Sequence, residues 1–304
     1  MAMKKIILNI LLLPALFLAG FPAQAALRVF TCEPEWASLA EELGGDKLDI
    51  FSATRAQQDV HYIQARPSLI ARLRRADLMI CTGADLEIGW LPVLLRQSAN
   101  PKVRPGQPGF FEASAYANML EVPDSVDRAQ GDVHPFGNPH IQLDPRNISS
   151  VAAELALRLQ SLDPENGDYY SQRHADFERR WQEKISEWNE RAKPLAGMGL
   201  IVYHRSWVYL VDWLGLREVG ALEPKPGIPP STGHLSSLLR QIENQDVALT
   251  VRSVYQSARA TEWLSRRSGV PAVVLPHTVG ATAGADDLFG LFDSLLDILL
   301  EHRQ

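Results

Sequence analysis

Eight histidines are the residues of this 304-residue chain whose type and placing point to chemistry. His61 lies in the loop after the strand-like run Leu48–Phe51, and His204 directly follows the run Leu200–Tyr203. His277 sits two residues past the run Ala272–Leu275, and His140 opens a loop that leads into a helix. In open parallel sheets ligands bind beyond the carboxyl ends of the strands, so these four imidazoles are expected at one edge. Neutral imidazole nitrogens suit Zn²⁺, whereas Mn²⁺ favours more carboxylate oxygen. Four imidazoles, or three with a carboxylate or water, would hold a tetrahedral ion. His134, in the same loop as His140, reads as a surface residue and an extra ligand at most. His174 and His302 fall in charged helical stretches and read as solvated; His234, after Ser231-Thr232-Gly233, reads as a capping or loop residue.

Other chemistries find less support. The chain has no Gly-x-Ser-x-Gly elbow, no His-Glu-x-x-His helix and no phosphate loop. Gly280-Ala281-Thr282-Ala283-Gly284 lacks the lysine of a phosphate cradle and reads as a flexible loop. A secreted zinc-dependent hydrolase using the same histidines, with Glu223 or Glu33 as base, is the alternative to a pure binding protein. A receptor for a small anion is a third reading, disfavoured by acidic charge.

The elements that must position these side chains follow a repeated rhythm. Arg28–Thr31, Leu48–Phe51 and Leu78–Ile80 read as strands, with helices at Trp36–Leu43 and from Pro67 between them. Residues 98–138 carry no element that the pattern assigns. Asp144-Pro145 caps and opens a helix to about Gln160, and Asp163-Pro164 introduces a longer one. There Tyr170, Phe177, Trp181, Ile185 and Trp188 form one apolar stripe for core packing, in a helix of more than 20 residues that can serve as a strut. The rhythm restarts with strands at Leu200–Tyr203, Leu216–Val219, Val247–Val251 and Ala272–Leu275, and helices at Trp207–Trp213, Leu235–Glu243, Ala258–Arg267 and Leu288–Leu300. The expected fold is α/β: two lobes, each a mostly parallel sheet flanked by helices, joined by one long rigid helix. The boundaries read are 26–160, 161–194 and 195–304. The two cysteines, Cys32 and Cys81, each end a strand-like run, so adjacent parallel strands in register would bring them together as a disulfide.

Residues 1–25 combine Lys4-Lys5, an apolar run from Ile6 to Gly20 and Ala23-Gln24-Ala25, the three parts of a secretory signal peptide. Cleavage after Ala25 predicts an exported, soluble chain, and without Lys4 and Lys5 the net charge moves from −6 to −8. That balance argues against nucleic acid as a partner.

Taken together, several segments in order resemble the cluster A-I solute-binding proteins of zinc and manganese ABC transporters. They are Glu35-Trp36 with Leu39 to Asp46, Asp59-Val60-His61, Ala76-Asp77-Leu78, Gly83-Ala84-Asp85-Leu86-Glu87, Asn138-Pro139-His140 with Leu143-Asp144-Pro145, and Tyr203-His204 before Leu214-Gly215-Leu216. The resemblance spans nearly the whole mature chain. It implies a monomeric periplasmic receptor that hands Zn²⁺ to an inner-membrane ABC permease and is no enzyme. It also implies His61, His140 and His204 as ligands. A histidine at the third position favours zinc, since manganese-type members usually carry Glu there. The fourth ligand falls near His277, with Asp286 and Asp287 as the alternative carboxylates. The chain departs from the family in Val60, where proline is usual, in Gln142, where an aromatic is common, and in lacking a long His-rich loop before His140.

Overall fold

The computed structural model describes residues 26–125, 127, 131 and 134–303; the leader read at 1–25 lies outside them. Among the described residues eight strands form two four-stranded sheets, every neighbouring pair parallel. β1 (Leu27–Thr31), β2 (Leu48–Ser52), β3 (Leu78–Cys81) and β4 (Phe110–Glu112) run in the order β2-β1-β3-β4. β5 (Gly199–Val202), β6 (Arg217–Ala221), β7 (Leu249–Arg252) and β8 (Ala272–Val274) repeat it as β6-β5-β7-β8. Parallel strands need crossovers, and helices supply most of them: α1 (Pro34–Gly44), α2 (Pro67–Arg75) and α3 (Leu91–Ser98) in the first half, α6 (Val208–Leu214), α7 (Thr232–Ile242) and α8 (Ala258–Ser268) in the second. α3 and β4 were not read from the sequence. β4 has only three residues and sits in a Pro- and Gly-rich stretch, held as an edge strand by its register with β3.

The inner strands β1, β3, β5 and β7 are buried on both faces, with side chains alternating between two cores. Val29, Leu78 and Ile80 point into a large core that also receives Leu200, Val202, Leu249 and Val251 from the other sheet. Phe30, Met79 and Cys81 point instead to a smaller core against α2 and α3, and Ile201 to one against α7 and α8. The large core therefore runs unbroken through both halves. α4 (Pro145–Leu162), α5 (Gly167–Ala192) and α9 (Leu288–Glu301) close it. α5 has 26 residues and spans about 39 Å. Its aromatic stripe is core, as expected: Tyr170, Phe177, Trp181 and Trp188 are fully buried. Trp181 Nε1 donates to Pro145 O (2.9 Å) and Trp188 Nε1 to Asp293 Oδ1 of α9 (2.8 Å), which ties the helix to both halves.

Register also settles the cysteines. Thr31 pairs with Ile80, so Cys32 and Cys81 lie side by side and are bonded, with Cα atoms 4.8 Å apart. Among the described residues no helix is long and apolar enough to cross a membrane.

Candidate metal centre

In each sheet the strand order reverses between the first strand and its inner neighbour, β1/β3 and β5/β7. Such switch points open a crevice at the carboxyl ends. His204 lies just past β5. A register shift between Leu200 and Ile201 brings Ala221 opposite Val202, so the chain after β6 runs beside it. Glu223 N then donates to Tyr203 O (3.0 Å), and His204 Nδ1 meets Glu223 Oε2 at 2.7 Å.

His61 and His140 are set by one local device used twice. In Asp59-Val60-His61, Asp59 Oδ1 accepts from His61 N at 3.1 Å, and in Asn138-Pro139-His140, Asn138 Oδ1 accepts from His140 N at 3.1 Å. Asp and Asn favour such turns because their short side chains reach the backbone two residues on. Asp59 Oδ1 also meets His61 Nδ1 at 2.8 Å. Burial would raise the Asp59 carboxyl, but the side-chain and backbone bonds from His61, with the charges of His61 and His204, together outweigh it and hold the acid below its ordinary value. Trp90 Nε1 donates to Val60 O (2.8 Å), so the turn is anchored although valine stands in the place of proline. Tyr209 OH, from the second half, donates to Asn138 O (2.6 Å), and Asn138 Nδ2 donates to Arg205 O (2.8 Å).

Three imidazoles result that face one another. Ring centres of His61, His140 and His204 are 5.6, 5.6 and 5.7 Å apart, and one ring nitrogen from each lies within 4.8 Å of the others. A tetrahedral ion about 2.0–2.1 Å from each nitrogen would set the ring centres roughly 5 Å apart. The carboxylates at Nδ1 of His61 and His204 leave Nε2 as the inward atom of each ring. His61 Nε2 and His140 Nε2 are buried with no hydrogen-bond partner among the described residues. His140, only 6% exposed, has its imidazole pushed well below the usual range by burial, and the neighbouring histidines add to this. It is therefore a neutral donor with a free lone pair.

The other expected residues are placed differently. His277 is outside the group of mutually close nitrogens; its ring packs edge-on against Tyr255 (5.0 Å), and burial lowers its imidazole to about 4. Gln142, buried in the position where an aromatic was expected, donates to His277 O at 3.0 Å. The His134 ring lies 5.6 Å from that of His61, closer to the cluster than a surface role implies. Asp287 caps α9, its Oδ1 accepting from Gly290 N (2.7 Å), and Asp286 is exposed beside it, so neither belongs to the histidine group. His234 is in the first turn of α7, where Ser231 accepts from its N–H and its ring meets Ala221 O at 2.8 Å. His174 and His302 are half-buried rather than fully solvated, and His302 Nδ1 meets Ile298 O. The loop at Gly280 is closed by Gly280 N–Ala285 O (2.6 Å) and touched by Gln57 Nε2 (3.3 Å).

A second buried polar group occupies the first switch point, β1/β3. Glu87 accepts from Thr82 N (2.8 Å) and Gly83 N, and Glu33 accepts from Thr82 Oγ1 (3.1 Å). Burial, with the nearby Glu87 and Glu35 charges, pushes the Glu33 carboxyl well up; burial raises Glu35 and Glu87 to about 7. The connecting turn takes Gly83, Ala84 and Asp85 consecutively through positive φ (78°, 51° and 63°), a conformation only Gly83 adopts without strain.

Comparison with known proteins now adds a second line. The family model "Zinc-uptake complex component A periplasmic" matches residues 29–302. The chain belongs to this family. It is 21% identical over 265 residues to the high-affinity zinc uptake system protein ZnuA of Bacillus subtilis, covering 86% of this chain and 81% of that one. It is 25% identical over 254 residues to the manganese ABC transporter substrate-binding lipoprotein PsaA of Streptococcus pneumoniae, covering 81% and 77%. The crystal structure of a zinc-bound ZnuA deletion mutant superposes with a TM-score of 0.76 at 22% identity, over 92% of this chain and 98% of that one, which bears out the fold. The protein is thus a substrate-binding component of a metal ABC transporter, which delivers its ion to a membrane permease. The hydrolase alternative falls with this, and its bases are spoken for: Glu33 is in the other cluster and Glu223 is held by His204 and Gly227 N.

Proposed function

We propose that this chain is a periplasmic high-affinity zinc receptor, exported through the leader at 1–25, that gives Zn²⁺ to an inner-membrane permease. His61, His140 and His204 are its ligands through nitrogen, and His277 completes a tetrahedral shell when its loop moves inward. Asp59 and Glu223 orient two of the rings. The observation that carries the reading is the triangle of ring centres, 5.6–5.7 Å on a side, around buried nitrogens. Three nitrogen donors without a carboxylate in the group favour zinc over manganese. Both ions occur among the relatives, so the choice rests on this donor set. The halves 26–160 and 195–304 supply the two walls of the cleft, with 161–194 behind them.

Calorimetry on the folded protein tests this. His140→Ala is expected to weaken zinc binding more than about 100-fold with an unchanged circular dichroism spectrum. Undiminished affinity, or tighter binding of Mn²⁺ than of Zn²⁺ by the native chain, overturns the assignment.

A further inference from the structure

Seven arginines elsewhere among the described residues meet carboxylates, among them Arg28 with Asp77, Arg146 with Asp144 and Asp212, Arg191 with Asp293, and Arg205 with Glu121 and Glu218. One group does not. From Val60 to Ala76 the sequence holds four arginines and no acid. Arg55, Arg66 and Arg72, all exposed, line a cavity of about 580 Å³ with no carboxylate in its wall. Arg72 lies over the Phe51 ring (4.9 Å), and no ion pair forms at any of the three among the described residues. In an acidic chain this local excess of positive charge stands out.

Its place matters as much as its charge. The cavity lies where β2 ends and α2 begins, at the same sheet edge as His61. It shares Gln57 with the neighbouring cavity of about 340 Å³ that His61, His204 and Tyr255 line. Gln57 Nε2 also reaches Gly280 O across the cleft, in the loop that follows His277. The cavity on the far side of His204 mixes both signs, with Glu121, Glu218 and Glu223 beside Arg205 and Lys225.

Resting on the receptor reading above, we propose that the Arg55–Arg66–Arg72 cavity is the socket for carboxylate side chains of the ABC permease. A concave wall of guanidinium forks suits projecting carboxylates, which bind in bidentate fashion, better than a flat lipid surface. A carboxylate seated there lies beside Gln57 and competes for its amide N–H, which loosens the Gly280 loop where the ion must leave. Docking and release are then coupled through one side chain.

The test compares Arg55→Glu/Arg66→Glu with Arg240→Glu/Arg259→Glu, a matched charge change at exposed sites in the second half. Each full-length variant, with its fold checked by circular dichroism, is titrated with zinc and against the cognate permease in zwitterionic nanodiscs. The socket variant is expected to bind zinc within twofold of native but the permease at least 10-fold more weakly, with less salt dependence; the control keeps both. Native-like permease binding by the socket variant, or an equal loss in the control, overturns the socket. So does socket-dependent binding of native protein to anionic vesicles without permease, or socket-dependent thermal protection by inorganic phosphate. If native protein binds neither zinc nor the permease, it is the receptor reading that has failed.

Discussion

The molecule builds the same sheet twice and uses its two switch points in opposite ways. At β5/β7 the crevice receives His204, whose ring is aimed at two other imidazoles. At β1/β3 it is filled by the Cys32–Cys81 disulfide and by Glu33 and Glu87. Burial acts on both clusters in one sense, against charge: it lowers the His140 imidazole and raises the glutamates. The outcomes differ because of what surrounds each group. The glutamates accept from Thr82 and Gly83, whereas two of the imidazole nitrogens have nothing to bond. Identical topology thus offers two crevices, and local partners decide which one keeps unbonded donor atoms.

That contrast is open to direct attack. The largest effect belongs to His204→Ala, expected to lower zinc affinity by more than about 100-fold while the apo melting temperature stays within a few degrees. A large fall in apo stability would mean that the imidazoles are structural like the glutamates. The disulfide should behave in the opposite way. Its cysteines are 49 residues apart, and removing it as Cys32→Ala/Cys81→Ala is expected to cost about 4 kcal/mol in chemical denaturation, with zinc affinity within twofold. Next in size, Glu223→Gln keeps a hydrogen-bonding group beside His204 but loses its charge, and a 10–100-fold weaker zinc complex is expected by calorimetry.

The smallest effect is a pH slope. Glu87 titrates near 7 in the folded protein against an ordinary 4.5. Between those values the native state holds a proton that the unfolded chain has released, so stability falls as pH rises from about 4.5 to about 7 and levels off above. Glu87→Gln removes that part of the slope, an effect of about 1–3 kcal/mol across the window in urea titrations. Parallel profiles for variant and native protein would show that Glu87 is not among the groups that hold the proton.

Much of this was legible in the residues. Apolar runs, Pro-opened helices and Asp caps located seven of the eight strands and most helices, because those signals are local. The escape of β4 and α3 has a physical cause. In β4, three residues that follow a run of prolines and glycines become a strand only through pairing with β3. The histidines at the sheet edges could be read from the strand-end rule, and the repeated Asx-x-His spacing of Asp59 and Asn138 was there to be used. Glu223 was not readable in its actual role. Its meeting with His204 depends on an irregular register between β5 and β6 that no spacing announces. The burial of Glu33, Glu35 and Glu87 is equally non-local, and nothing in their spacing announces it. Gln142 likewise shows its purpose only when the His277 backbone arrives beside it.

The unbroken core has a last consequence for how cargo leaves. Swinging the two sheets wide apart would pull Trp181 and Trp188 from their seats under α9 and wet a large apolar area at once. The economical exit therefore leaves the frame standing and shifts only the strand-end loops. On the receptor reading the ion would leave as through a loosened collar, and no part of the spine would have to refold between loads.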